Sequence, residues 1–176
     1  QAAIDGYAVR SVDVLGVGTG DDDDGSDEGG TGSDGEVSLP VIGSTHGDEL
    51  EGPVAVKHLL HEIKLEDVLG RIILIPVINP MAFKANRRET PDDGVNFNRA
   101  FPGDAKGSVT YRLADFVTRF IFPQVHVVLD IHAGGEVARF PETANVHLMS
   151  DPAQRRAMEE TARGFGTKFI MQYQNL

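Results

Sequence analysis

Two short apolar runs constrain this chain more than any other feature. Arg71–Ile78 (RIILIPVI) and Val125–Ile131 (VHVVLDI) are dense in β-branched residues, and each spans only a strand's length. Their apolar character is continuous rather than alternating, as in strands covered on both faces, a burial typical of parallel sheets. Between and around them lie segments with helical spacing. Glu51–Leu65 has Pro53 near its start and Val54, His58, Leu59 and Glu62 on a helical repeat; Val109–Phe122 also reads as helix. Asp151–Gly164 reads as a helix capped by Asp151 with Pro152 in its first turn. Tyr7–Leu15, Val37–Gly43 and Lys168–Tyr173 complete the strands, with His147 on a further one. The expected fold class is α/β: a mixed, largely parallel sheet flanked by helices, in one domain over residues 1–176.

Charge narrows the partners. The net charge of -11 argues against nucleic acid, which needs a basic stripe. Eight of the 27 acids fall in residues 21–36, where no base occurs, so one segment makes a nearly neutral body look acidic. Residues 16–36, rich in Gly, Ser and Asp, are expected to form a flexible, solvated loop. Four adjacent aspartates lack the spaced ligands of a calcium loop. They would also repel the pyrophosphate that the Gly16, Gly18, Gly20 string could otherwise suggest. No apolar run approaches the ~20 residues of a bilayer span. Residue 1 is Gln with no leader-like segment after it, so a cytoplasmic location is the expectation, and a homo-oligomer stays open as the assembly state.

The polar signals follow strand ends, where ligands of open α/β sheets collect. Val37–Gly43 runs into Ser44-Thr45-His46-Gly47-Asp48-Glu49; Val125–Ile131 runs into His132-Ala133-Gly134-Gly135. With no cysteine in the chain, a metal site must use His, Asp and Glu. His46 and Glu49, three apart in a turn, with His132 at a buried strand end, make the two-His, one-Glu set of a catalytic zinc site. The long polar stretch Asn79–Lys106 reads as a functional loop carrying Arg87, Arg88, Asn98 and Arg99. A guanidinium there could clamp a carboxylate or steady an oxyanion. Asp130, sharing a strand face with His132, is a candidate to orient an imidazole, or a satisfied strand-end carboxylate. His58 and His61 lie on a helix surface, His126 is expected to be partly buried in the core, and none of these three is assigned to the site.

Together, GSTHGDELEGP (43–53), NPMAFKANRRETPDDGVNFNRAFPG (79–103) and LDIHAGG (129–135) resemble the succinylglutamate desuccinylase/aspartoacylase branch of the zinc carboxypeptidase superfamily. The resemblance runs from about Val37 to the last residue. It implies one Zn2+ per chain held by His46, Glu49 and His132, a substrate carboxylate bound by Asn98 and Arg99, and a scissile carbonyl polarised by Arg88, with Arg87 the competitor. The implied reaction is hydrolysis of the amide of a small-molecule N-acyl amino acid. The family commonly has Asp-Leu before its Asn-Arg, where this chain has Asn96-Phe97.

The family's general base, a Glu in an EL-G-like context after LDIHAGG, has no counterpart up to Leu176, nor does its smaller C-terminal β domain. The chain is therefore expected to be catalytically incomplete, and Glu136 and Glu142 do not match the missing base. Two rivals accompany this reading: a metallocarboxypeptidase acting on peptides, and a non-catalytic zinc-binding remnant that lacks the base.

Overall fold

The computed structural model describes residues 11–16, 37–147 and 150–173. The acidic stretch from residue 17 to 36 lies outside them, as do residues 7–10 of the first expected strand. Six strands form one sheet in the order β3-β2-β4-β1-β5-β6. They are β1 (Ser11–Gly16), β2 (Val37–Gly43), β3 (Gly70–Ile75), β4 (Val127–His132), β5 (Thr143–His147) and β6 (Phe169–Tyr173). Neighbours run parallel except at the centre, where β1 is antiparallel to β4. The sheet is mixed and largely parallel, and helices flank it, as the apolar runs imply.

The alternation of β4 divides the molecule. Val127, Leu129 and Ile131 pack toward α1 (Glu51–Glu62) and α4 (Pro152–Gly164), against Ala55, Val56, Met158 and Ala162. Val128 points the other way, into a second cluster with Ile42, Phe97, Ala114 and Val117 beneath α3 (Val109–Phe116). Each such fully buried aliphatic side chain is worth about 1.5–3 kcal/mol. Asp130 and His132 continue the face of Val128 beyond that second cluster, and there the core gives way to polar groups.

Several elements depart from the sequence expectation. α1 stops at Glu62, where Ile63 turns to extended geometry, short of the expected Leu65. β3 ends at Ile75 because Pro76 has no N–H to continue a ladder. The expected helix 109–122 is α-helical only to Phe116, then widens into a π-helical turn over Val117–Ile121. The expected loop 79–106 contains a helix, α2 (Pro80–Ala85), started by the Asn79 side chain accepting from the Ala82 N–H at 3.2 Å and ended by left-handed Asn86. His126 is exposed rather than part of the core; its ring Nδ1 accepts the Ser38 N–H at 3.0 Å. No helix among the described residues is long and apolar enough to cross a membrane.

Candidate metal centre

The site is built where β2 and β4 end side by side. Close backbone approach makes this possible. A Cβ on Gly43 would lie 2.6 Å from the Gly52 carbonyl carbon, and one on Gly52 would lie 2.9 Å from the Ile131 carbonyl oxygen. Only a glycine pair lets the start of α1 press onto both strand ends. The connecting turn, with Ser44 at φ 56, swings His46 and Glu49 back over the tip of β4.

His46, Glu49 and His132 are buried at 2, 1 and 6% exposure, and one ligand atom from each lies within 4.8 Å of the others. The Glu49 carboxylate is the hub. Its Oε1 lies 2.9 Å from His46 Nδ1 and accepts from Arg88 Nη1 at 2.9 Å. Its Oε2 lies 2.9 Å from His132 Nδ1 and accepts the Ala133 N–H at 3.0 Å. Burial alone would raise the Glu49 carboxyl, but the contacts with His132 and His46 outweigh it and hold it well below the usual carboxylate range.

The outer face of each imidazole meets an oxygen. His46 Nε2 lies 3.2 Å from Asn96 Oδ1, which also accepts the Asn98 N–H at 3.0 Å. His132 Nε2 lies 2.9 Å from Asp130 Oδ2. Asp130 in turn accepts from the Thr45 hydroxyl on both oxygens, at 2.8 and 3.0 Å. With a proton on each outer nitrogen, as a bound cation would favour, both Nδ1 lone pairs would face the same point as the Glu49 carboxylate. Such a set of converging lone pairs needs a positive charge among them, and nitrogen and carboxylate donors suit a divalent transition metal. The residues fit a metal.

Arg88 rather than Arg87 reaches the triad. The Arg87 side chain is exposed, and that residue's part is its carbonyl, which accepts the Gly47 N–H at 2.9 Å. Asn98 and Arg99 sit in a short 3-10 turn, and both line the cleft that opens from the triad. His58 stays on the α1 surface beside Glu62, and Glu136 accepts from the Asn86 amide at 2.7 Å on the exposed surface.

Sequence reasoning misses three contributors. Thr45 and Ala133 carry no signature of their own. Asn96 is visible only as a departure from the Asp-Leu pattern, and its side-chain oxygen meets His46. A fourth missed residue, Asp93, holds the long loop to the start of α3 by accepting from Val95, Ser108 and Thr110.

A model of the succinylglutamate desuccinylase/aspartoacylase catalytic domain matches residues 36–176. An N-alpha-acetyl-L-2,4-diaminobutyric acid deacetylase of Halomonas elongata is 44% identical over 131 residues, covering 74% of this chain and 38% of the relative. Among solved structures, a succinylglutamate desuccinylase from a Silicibacter species superposes with a TM-score of 0.70 at 33% identity, over 80% of this chain and 43% of the other. A product-bound ectoine utilization protein from Ruegeria pomeroyi gives 0.69 at 32% identity, over 80 and 43%. The chain thus spans about two-fifths of the length of these relatives. By the domain match and the superpositions together, the chain belongs to the succinylglutamate desuccinylase/aspartoacylase family.

Proposed function

We propose that this chain carries the metal-binding and carboxylate-binding part of a zinc-dependent deacylase that hydrolyses the amide of N-acyl amino acids. The observation that carries the reading is the convergence of His46, Glu49 and His132, with Arg88 on Glu49 and Asn98 and Arg99 lining the same cleft. The names of the relatives, a deacetylase and a desuccinylase, point the same way.

His46, Glu49 and His132 would hold the zinc, which when bound supplies Lewis acidity at the amide carbonyl. Arg99 and Asn98 take the α-carboxylate, so that binding energy is used to orient the amide. Arg88, half-exposed and so free to turn from Glu49, donates to the carbonyl oxygen as negative charge builds on it. Asp130 and Thr45 fix the His132 ring, and Asn96 fixes that of His46.

The carboxylates lining the cleft among the described residues are Glu49 and Asp130. Glu49 is committed to both imidazoles, and Asp130 to Thr45 and His132. We therefore place the general base outside the described residues; such a base is typically worth about 10²–10⁴-fold.

The test is metal analysis of the purified chain. About one zinc per chain is expected from one site of this type. His46→Ala and His132→Ala should lose it, and His58→Ala should keep it. Zinc retained by His132→Ala overturns the assignment. A version of the protein extended to the length of the relatives should hydrolyse N-acetyl amino acids faster than this chain; equal rates would place the base within it.

A further inference from the structure

We infer that the cleft selects N-acyl amino acids bearing a single carboxylate, with no second one on the acyl group or side chain. This deepens the deacylase reading above and rests on it. The cleft has a volume of about 770 Å3 and runs from the triad across the sheet face to β5 and β6. Among the described residues that line it, Arg88 and Arg99 supply the lysine or arginine charge. Arg88 is held by Glu49 at 2.9 Å and is assigned to the carbonyl. That leaves Arg99, on the exposed rim, for a substrate carboxylate.

Away from Arg99 the walls change character. Phe101, Phe122, Phe140 and Tyr173 present aromatic surface, and the His147 ring stacks on Tyr173 with centroids 5.8 Å apart. The polar groups interleaved with them, Thr118 and Asn145, are neutral. Aromatic faces carry negative quadrupole density, so they welcome apolar or cationic groups and oppose anions. A second carboxylate drawn into this chamber would lose its water without gaining a lysine or arginine among the described lining residues. A neutral acyl group or side chain meets no such cost.

The experiment uses the zinc-loaded chain at pH 8. Calorimetry compares two pairs matched in shape: N-acetyl-L-glutamine with N-acetyl-L-glutamate, and N-succinamoyl-L-glutamine with N-succinyl-L-glutamine. In each pair the added carboxylate should weaken binding by at least about tenfold, the effect of one uncompensated desolvated charge. Phe140→Arg, at a position 39% exposed and so tolerant of replacement, should narrow both gaps by supplying the missing cation. Dianions that bind as tightly as their neutral partners, or gaps unchanged in Phe140→Arg, overturn the inference while leaving the deacylase reading in place. If none of the four ligands binds, or if Arg99→Ala binds them undiminished, the deacylase reading fails and the inference falls with it.

Discussion

Strands β4 (VVLDIH) and β6 (FIMQY) lie in one sheet, separated by β1 and β5, yet every residue of β4 is buried and every residue of β6 is exposed. Composition does not separate them: Phe169, Ile170 and Met171 are as apolar as Val127, Val128 and Leu129, and are 57, 38 and 41% exposed. Position does. β4 is paired on both sides and covered by α1 on one face and the α3 layer on the other. β6 pairs only with β5 among the described residues, and α4, which covers β5, meets it through an exposed polar contact, the Gln172 amide donating to Glu159 at 3.1 Å, rather than burying its apolar residues. A strand's apolar residues state what it can bury; its neighbours decide whether it does.

The comparison also explains where chemistry can reside. In β4 the covering layers stop short of the strand end, so Asp130 and His132 are buried and still line the cleft. Buried ionic groups persist there because each has a partner. β6 offers the cleft only Tyr173, at its far end.

The sharpest way to break the contrast is matched truncation. Leu129→Ala in β4 should cost about 2–4 kcal/mol by denaturant unfolding, whereas Ile170→Ala in β6 should cost less than about 1 kcal/mol. Equal losses would mean that β6 is covered in solution. Next comes the polar end of β4. Asp130→Asn keeps the shape but weakens the acceptor for His132, and zinc affinity by chelator competition should fall about 10–100-fold. Thr45→Val should have a smaller effect in the same direction.

A third test concerns Asp93, which ties the long loop to α3. Burial opposes its charge, but the bonds from Ser108, Thr110 and Val95 prevail and lower its pKa. A carboxyl lowered on folding contributes stability that is full above the ordinary aspartate range and is lost as pH falls through its folded value. Asp93→Asn should therefore lower stability at neutral pH by about 1 kcal/mol, one net hydrogen bond's worth, and lose less than the parent on acidification below about pH 4. A parallel acid profile in both proteins would assign the loss to other groups. The smallest effect is expected at the opposite edge: Leu69→Ser, at 91% exposure, should change stability by no more than about 0.5 kcal/mol and leave zinc binding intact.

Much of this is legible in the amino-acid sequence alone. The buried runs mark β3 and β4, and the H-x-x-E turn with the strand-end histidine names the three residues that converge. Elements too short for a period to build up escape: α2 has six residues, although Asn79, Pro80 and Asn86 carry ordinary start and stop chemistry. β5 shows itself only through His147. Its TANVH does alternate, but Ala144 is a weak apolar signal and Asn145 and His147 turn toward the cleft. Contacts such as Thr45 to Asp130 join positions 85 apart, and no local pattern encodes them.

The placing of β1 has a consequence in time. Residues 11–16 are inserted between β4 and β5, so a strand synthesised before the other five occupies the middle of the finished sheet. Its partners, beginning at Val127 and Thr143, leave the ribosome more than a hundred residues later, which at ordinary translation rates of about 5–20 residues per second is a wait of several seconds or more. Through that interval β2 and β3 can pair with each other, but the sheet keeps a slot at its centre. Closure then requires contacts of high sequence separation, the kind that slows folding and makes a nascent chain a client for chaperones.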